Sequence, residues 1–291
     1  MKELRGKTAF VTGGASGIGW GIAAALGAEG MNVMVADIEQ GARDAAVAEL
    51  RKRQVRAEGV HVDVASRDSM RAAALETIAK FGKIHVLVNN AGVAVGGPIG
   101  AVMERDWDWI IDVNVFGVIN GVDVFGPLID AHGEGGHIVN TASMASHIPG
   151  PGMEPYAGTK FAVIAMCEGW RQQLAPKNIG VSALCPGFIR TNILSSRRNR
   201  GAGYGADMAA PPPGTPESPM AKASRERTEQ GLDPEICGAR VVEAIKDDEP
   251  YIFTHATEFR PMVEARFKRL MDAFDQSEKS PALAAHLDKF P

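Results

Sequence analysis

Short apolar runs bounded by glycine and polar residues alternate along this chain with longer stretches whose apolar residues recur at helical spacing. Seven runs predict strands: Thr8–Thr12, Asn32–Asp37, Arg56–Asp63, His85–Asn89, Gly136–Asn140, Gly180–Cys185 and Tyr251–Thr254. Helices are predicted between them at Trp20–Ala28, Glu39–Arg53 and Asp233–Asp247, with the longest near Glu104–Ala131 and Glu154–Ala175. Asp233 caps its helix and Pro234 fits the first turn, where its missing N–H costs nothing. Strands alternating with helices imply a doubly wound α/β architecture, a parallel sheet of about seven strands with helices on both faces. A ligand then belongs beyond the carboxyl ends of the strands, where the strand order reverses.

Two segments break the alternation. Asn192 to Leu232 holds S-S-R-R-N-R-G-A-G-Y-G and A-A-P-P-P-G-T-P-E-S-P, and connections longer than about 15 residues are usually functional lids or disordered. It reads as a substrate lid. Beyond Glu258 an amphipathic stretch runs to Phe274 and a polar tail to Pro291. The expected plan is one domain over 1–291, with a lid at about 192–232 and a C-terminal extension at about 256–291.

Composition narrows the class. The chain has 291 residues, 45% hydrophobic and 23% charged, which suits a well-filled α/β core. Its three cysteines, Cys167, Cys185 and Cys237, form no metal-ligand spacing and no even framework, so no metal is expected and a reducing cytoplasm is the natural compartment. A formal charge of −4 and a pI near 6.0 argue against a nucleic-acid partner. The start M-K-E-L-R-G-K-T lacks the apolar core of a signal peptide. No apolar run is read as reaching the ~18 residues of a membrane span, so no membrane association is expected.

Candidate chemistry begins at the first strand. Gly13, Gly17 and Gly19 form T-G-x-x-x-G-x-G between that strand and a helix, where glycines allow a tight turn and free amides favour a pyrophosphate. Asp37 ends the second strand, 18 residues after Gly19. There it can accept hydrogen bonds from an adenosine ribose, and capping the following helix is a second role open to it. Tyr156 and Lys160 are four residues apart, with Ser143 thirteen residues before the tyrosine. Residues i and i+4 share a helix face, so the lysine can stand beside the phenol. Bringing a tyrosine from its usual pKa near 10 towards 7 takes about 4 kcal/mol, which one cation at ~4 Å supplies at an effective dielectric near 20.

With these pieces and others in order, the chain resembles the short-chain dehydrogenase/reductase family over about Leu4 to His255. T-G-G-A-S-G-I-G at Thr12–Gly19 resembles the family's phosphate loop, which implies cofactor contacts at Gly13, Ser16, Gly17, Ile18 and Gly19. H-V-D-V at His61–Val64 implies that Asp63 and Val64 hold the adenine. N-N-A-G at Asn89–Gly92 implies that Asn90 shapes the cofactor cleft, and N-V-F-G at Asn114–Gly117 supplies a water-anchoring asparagine. I-V-N-T-A-S ends in the substrate-contacting Ser143. P-G-F-I-R-T at Pro186–Thr191 resembles the loop that grips the nicotinamide carboxamide through Ile189 and Thr191. The implied fold is Rossmann-type.

The resemblance implies hydride transfer between NAD(P) and a secondary alcohol or ketone. Tyr156 is then the general acid/base, Ser143 the hydrogen-bond donor to the reacting oxygen, Lys160 the partner of both tyrosine and nicotinamide ribose, and Asn114 the anchor of a water leading to solvent. NAD is expected rather than NADP, because Asp37 faces the 2′ position and Ile38 offers no cation, although Arg43 could reach back. Val93, Val95, Met144, His147, Met153 and Phe188 are expected to line a mainly hydrophobic pocket. The substrate is therefore expected to be bulky and largely apolar. The tail, with Y-I-F-T-H at Tyr251–His255, is similar to that of bacterial members that oxidise benzylic alcohols in lignin-derived aryl ethers. A 3-hydroxyacyl thioester or a steroid or bile acid is the alternative substrate, and a cofactor-sensing binding protein the non-enzymatic alternative. A homotetramer or homodimer is expected, paired through Glu104–Ala131 and Glu154–Ala175.

Overall fold

Seven strands, β1 (Thr8–Thr12), β2 (Asn32–Asp37), β3 (Ala57–His61), β4 (Val86–Asn89), β5 (Gly136–Thr141), β6 (Ile179–Cys185) and β7 (Tyr251–Phe253), form one sheet in the computed structural model, which describes residues 1–205 and 219–283. Their spatial order is β3-β2-β1-β4-β5-β6-β7, and every pairing is parallel. Val11 of β1 stands opposite Val35 on one side and Val88 on the other, so the order reverses between β1 and β4. Strands β1, β4 and β5 are buried along their whole length, as parallel strands covered on both faces must be.

The connecting helices are α1 (Gly17–Ala28), α2 (Gln40–Lys52), α3 (Arg67–Phe81), α4 (Glu104–Ile111), α5 (Gly117–Ala131), α6 (Glu154–Leu174), α7 (Pro219–Glu229), α8 (Pro234–Asp247) and α9 (Ala256–Glu278). Local chemistry sets their ends. The Ser66 hydroxyl accepts from Ser69 N–H to open α3, and Gly82 at φ 85° closes it. Asp233 accepts from Glu235 N–H at 2.8 Å to open α8. One face of the sheet buries Ile22, Leu26, Leu50, Val241 and Ile245 from α1, α2 and α8. On the α5 side, Phe10 and Phe125 meet with ring centroids 4.4 Å apart.

Three sequence expectations need correction. The third strand stops at His61, which leaves Asp63 in the following turn. The long helix Glu104–Ala131 is interrupted by a π-turn over Asp112–Phe116. It is also the one helix among the described residues long and apolar enough to cross a membrane, and more than half of its most apolar stretch is buried in the fold. Finally, of the apolar residues on the two helices expected to pair subunits, Val118, Val122, Phe125 and Val163 are buried within this chain. Val113, Met166 and Trp170 remain half-buried, and Phe116 is 50% exposed.

The chain falls into two compact units, Met1–Thr254 and His255–Pro291. The first holds the sheet and α1 to α8. The second is built on α9, a 23-residue helix laced by exposed ion pairs such as Arg260–Glu264 and Lys268–Asp272. Residues 206–218 of the expected lid and 284–291 of the expected tail lie outside the described residues.

Helices α1 and α8 touch backbone to backbone. A methyl on Gly21 would lie 1.9 Å from the Pro234 carbonyl oxygen, and one on Gly238 would lie 2.0 Å from the Gly21 oxygen. Neither backbone can yield without moving a helix. Gly21→Ala is therefore expected to cost at least about 1–3 kcal/mol, as overpacking does. Gly41→Ala in α2, where a methyl meets nothing within 4 Å, should instead stabilise by about 0.5–1 kcal/mol. Urea midpoints of the two variants should move in opposite directions, and a shift of the same sign in both would refute the packing account.

Candidate active site

The crevice between β1 and β4 is closed at its base by side chains that replace the missing ladder. Thr12 Oγ1 donates to Val88 O at 3.2 Å and accepts from the N–H groups of Asn90 (2.9 Å) and Ala91 (3.1 Å). Asn90 Nδ2 returns to Thr12 O at 3.1 Å and Gly13 O at 3.3 Å. Gly13, at φ 60°, packs so closely that a Cβ would stand 2.9 Å from Ala91 Cα. At Gly19 a Cβ would stand 2.1 Å from Gly13 O, so the turn folds tightly on itself. Ser16 is the N-cap of α1, and Gly17 and Ile18 begin the helix, whose first amides carry the positive end of its dipole.

The other residues expected around a cofactor lie along the same edge. Asp37 accepts from Ala15 N–H at 3.1 Å and Glu39 N–H at 3.0 Å. Arg43 does reach back, but Nη1 donates to the Asp37 carbonyl at 3.0 Å. Asp63 accepts from Ala65 N–H at 3.0 Å, and Val64 O accepts from Asn120 Nδ2 at 2.9 Å. Ile189 is buried and bridges to Leu232, while Thr191 Cγ2 would lie 3.0 Å from a methyl on Gly17. A dinucleotide fits this set: a tight glycine-rich turn at a helix amino end, an acid closing β2, and Thr191 against the turn.

Ser143, Tyr156, Lys160 and Asn114 come together at the ends of β4 and β5. Ser143 opens a short turn, its Oγ accepting from Ala145 N–H at 3.1 Å, and it hydrogen-bonds Tyr156. Tyr156 and Lys160 stand in the first two turns of α6. Lys160 Nζ donates to Thr141 O at 2.8 Å and lies 5.7 Å from the centre of the Tyr156 ring. Asn114, in the π-turn, accepts from Val93 N–H and donates to Val93 O, both at 2.9 Å, and reaches Thr159 Oγ1 at 3.2 Å. Its Oδ1 and Lys160 Nζ would lie 3.3 and 3.4 Å from a methyl on Gly92.

The electrostatics correct the simple expectation of an activated tyrosine. Burial raises the Tyr156 pKa above its ordinary value, and the hydrogen bond from Ser143 opposes that rise. Lys160 is itself brought down to about 8 by burial, against a smaller opposing effect of Cys185. The ammonium is bonded to the Thr141 carbonyl and stands over the face of the ring, and burial dominates the shift of the phenol.

Of the pocket residues, Val93 and Val95 are buried in a cluster with Trp109 and Ile110, against which Tyr156 packs. Met144 N–H donates to Pro186 O at 2.9 Å, tying the serine turn to the loop after β6. His147 stacks near Phe253 with centroids 5.5 Å apart, and Met153 precedes α6 with 39% of its surface exposed. Phe188 lies beneath the Arg227 guanidinium, 5.3 Å from it. Sequence reasoning missed Tyr204, which packs on the Val93–Trp109 cluster and donates to Asp112 Oδ2 at 2.8 Å. It also missed the buried ion pair of Arg200 with Asp106. Only the arginine-rich composition of the segment after Thr191 hinted at either.

A second polar cluster lies at the opposite ends of the strands, where His85, His132 and Glu134 come within ligating distance of one another. Its ring nitrogens are already committed. His85 Nδ1 accepts from Thr8 N–H at 3.2 Å, which leaves Nε2–H to donate to Glu134 at 3.0 Å. His132 accepts from Glu134 N–H through Nδ1 at 3.2 Å and donates to Ile84 O through Nε2 at 2.9 Å. No nitrogen lone pair is left for a metal, so the cluster is an edge clasp.

Residues 7–201 match the family model described as short chain dehydrogenase. A C alpha-dehydrogenase of Sphingobium sp. strain SYK-6 is 37% identical over 97% of this chain and 90% of that protein. A 3-oxoacyl-[acyl-carrier-protein] reductase of Thermotoga maritima is 36% identical over 65% of this chain and 76% of its own length. Among solved structures, a short chain dehydrogenase/reductase of Burkholderia phymatum in complex with NAD superposes with a TM-score of 0.86 at 33% identity, covering 93% of this chain and 96% of that one.

The buried lysine makes a signed prediction. The fold holds Lys160 near 8 against an ordinary 10.5, so burying its charge costs the full amount below pH 8. That cost fades as pH rises towards 10.5, because the unfolded chain then holds more protons than the native one. Lys160→Met should therefore resist urea better than the unmodified protein at pH 7, and the gap should narrow between pH 8 and 10. A gap independent of pH, in paired urea titrations, would count against a buried, depressed ammonium.

Proposed function

The chain belongs to the short-chain dehydrogenase/reductase family, whose members use NAD(P), and is an oxidoreductase acting on CH–OH groups; from that premise we propose that it oxidises a bulky, largely apolar and aryl-substituted secondary alcohol, or reduces the matching ketone. The observation that carries this reading is the apolar packing around the tyrosine: Tyr156 and Tyr204 both pack on the buried cluster of Val93, Val95, Trp109 and Ile110. Surroundings of that kind suit a flat apolar group better than a sugar or hydroxy acid. The likeness to a C alpha-dehydrogenase over nearly the whole chain supports an alcohol dehydrogenase. The segment after Thr191, through Tyr204, acts as the lid on this pocket.

When bound, NAD would supply the hydride acceptor; Gly13, Ser16, Gly17, Ile18 and Gly19 would hold its phosphates, Asp37 the adenosine ribose, Asp63 and Val64 the adenine, Asn90 the cleft, and Ile189 and Thr191 the carboxamide. Lys160 would hold the nicotinamide ribose. Tyr156 takes the alcohol proton in oxidation and returns it in reduction. Ser143 donates to the same oxygen and stabilises charge developing there. Asn114, fixed by Val93, anchors the water through which Lys160 exchanges a proton with solvent. Met144, His147, Met153 and Phe188 complete the pocket rim.

Asp37 favours NAD over NADP, because its carboxylate closes β2 where the 2′ position of a bound ribose would come, and because Arg43 is engaged with the Asp37 carbonyl. A phosphate facing that carboxylate at ~5 Å costs about 3 kcal/mol per charge at an effective dielectric near 20. The protein acts in the cytoplasm as a homodimer or homotetramer. Phe116 with the half-buried Met166 and Trp170 supports pairing through α5 and α6.

Tyr156→Phe is expected to lower kcat by about 10²–10⁴-fold, the usual worth of a positioned acid/base group, with the NADH dissociation constant within about threefold of the parent by fluorescence titration. Retention of a tenth of the parent kcat would remove Tyr156 from its role. The substrate class is tested with 1-phenyl alkanols, a bile acid and a 3-hydroxyacyl thioester, each with NAD and NADP. Highest kcat/KM is expected for the phenyl alkanols, with NAD preferred by about 100-fold; preference for the thioester would overturn the aryl reading.

A further inference from the structure

Helix α9 leaves an apolar stripe in solvent. Phe267, Leu270, Met271 and Phe274 recur at i, i+3, i+4 and i+7, which places them on one face. Together with Met262 their exposure runs from 48% to 60%. Scattered exposed apolar residues need no explanation, but a contiguous row of aromatic and methionine side chains marks an interaction surface. The charges of the same helix are divided end to end. From Arg260 to Arg269 four basic residues and Glu264 sum to +3 (4 − 1), whereas Asp272, Asp275 and Glu278 sum to −3 over Leu270 to Glu278.

That division selects the occupant. We propose that α9 pairs antiparallel with α9 of a second copy of this chain, about a two-fold axis crossing the helix near Arg269. The +3 half of each helix then lies along the −3 half of the other, whereas parallel pairing would set like charge against like. A two-fold interface is self-complementary, so each contact occurs twice. About that axis Phe267 meets Met271 of the second copy, and Arg260 meets Glu278. Arg260 and Glu278 are 18 residues apart, which is five turns at 3.6 residues per turn. They flank the stripe on the same side, and a two-fold axis preserves sides, so the two residues face each other. Adsorption on an anionic bilayer fits less well, because the acidic half would be repelled by such a surface.

The proposal stands apart from the catalytic reading, since α9 supplies none of the active-site residues. It is tested on the full chain. Leu270→Glu with Phe274→Glu should halve the mass measured by light scattering at micromolar concentration, while kcat per chain stays unchanged. Arg260→Glu should loosen the association about 3- to 10-fold, in line with a solvated ion pair formed twice, and adding Glu278→Arg should restore it. Leu270→Cys should form an intermolecular disulfide on mild oxidation; the three native cysteines are buried and provide no competing partner. A mass unchanged by the paired glutamates overturns the proposal. So does a halved mass without rescue by the charge swap and without the disulfide, because the antiparallel register would then be wrong. Sedimentation of the parent with phosphatidylserine vesicles, lost in the glutamate variant, would assign the stripe to a membrane instead.

Discussion

Where β1 and β4 diverge, the backbone loses its ladder partners while still buried, and the site depends on how those groups are satisfied. An unpaired buried polar group costs about 1–3 kcal/mol, so an open crevice at this point needs substitutes. Thr12 and Asn90 provide them: a hydroxyl that accepts two N–H groups and gives one hydrogen bond, and an amide that caps two carbonyls. The cross-link fixes the crevice width and the start of the glycine turn, and hence where α1 points its amides. It extends one step further, because Thr141 Oγ1 donates to Asn90 Oδ1 at 3.4 Å and the carbonyl of the same threonine holds Lys160. The glycine turn and the buried lysine share one chain of hydrogen bonds.

The π-turn aims one side chain. Lys160 gives its ammonium to the Thr141 carbonyl, and Asn114 stands beside it at Gly92. Asn114 could not face Val93 like a strand neighbour, accepting and donating at once, if the helix kept its regular register. The widened turn over Asp112–Phe116 re-aims that one residue while α4 and α5 keep their packing. Such single-turn bulges are frequent at functional sites, and here the shift in register gives Asn114 its pair of hydrogen bonds to Val93.

Much of this was legible in the sequence, because strands and glycine turns are local signals. Six of the seven strands fall within a residue of their expected ends, and the glycine turn, Asp37 and the i, i+4 pair stand where spacing put them. The third strand was overextended because His61–Val64 reads as strand by composition, whereas the Asp63 carboxylate accepts from Ala65 N–H and turns the chain. The π-turn was invisible, since one residue's shift in hydrogen-bond register leaves no mark on apolar periodicity. The sign of the Tyr156 shift was missed for a related reason: spacing brings a cation within reach but says nothing about the water lost on burial. Pairings across long separations, such as Arg200 with Asp106, leave no local signal at all.

Those distant pairings define how the segment after β6 is held. Between Thr191 and Tyr204 the chain meets four separate elements. Arg198 and Asn199 both donate to Glu39 Oε1, at 2.7 and 2.8 Å, just beyond Asp37. Ser196 Oγ accepts from Ala94 N–H at 3.0 Å, Arg200 pairs with Asp106, and Tyr204 donates to Asp112. These anchors are not equal. Arg198 and Glu39 are each about one-third exposed, and such pairs are worth about 0–1 kcal/mol. Arg200 and Asp106 are 3% and 1% exposed, and breaking a pair buried to that degree costs about 3–5 kcal/mol. The segment is thus pinned firmly at the α4 wall, where Tyr204 faces the apolar cluster, and lightly at the carboxyl end of β2. The segment is therefore held more weakly at Glu39 than at Arg200.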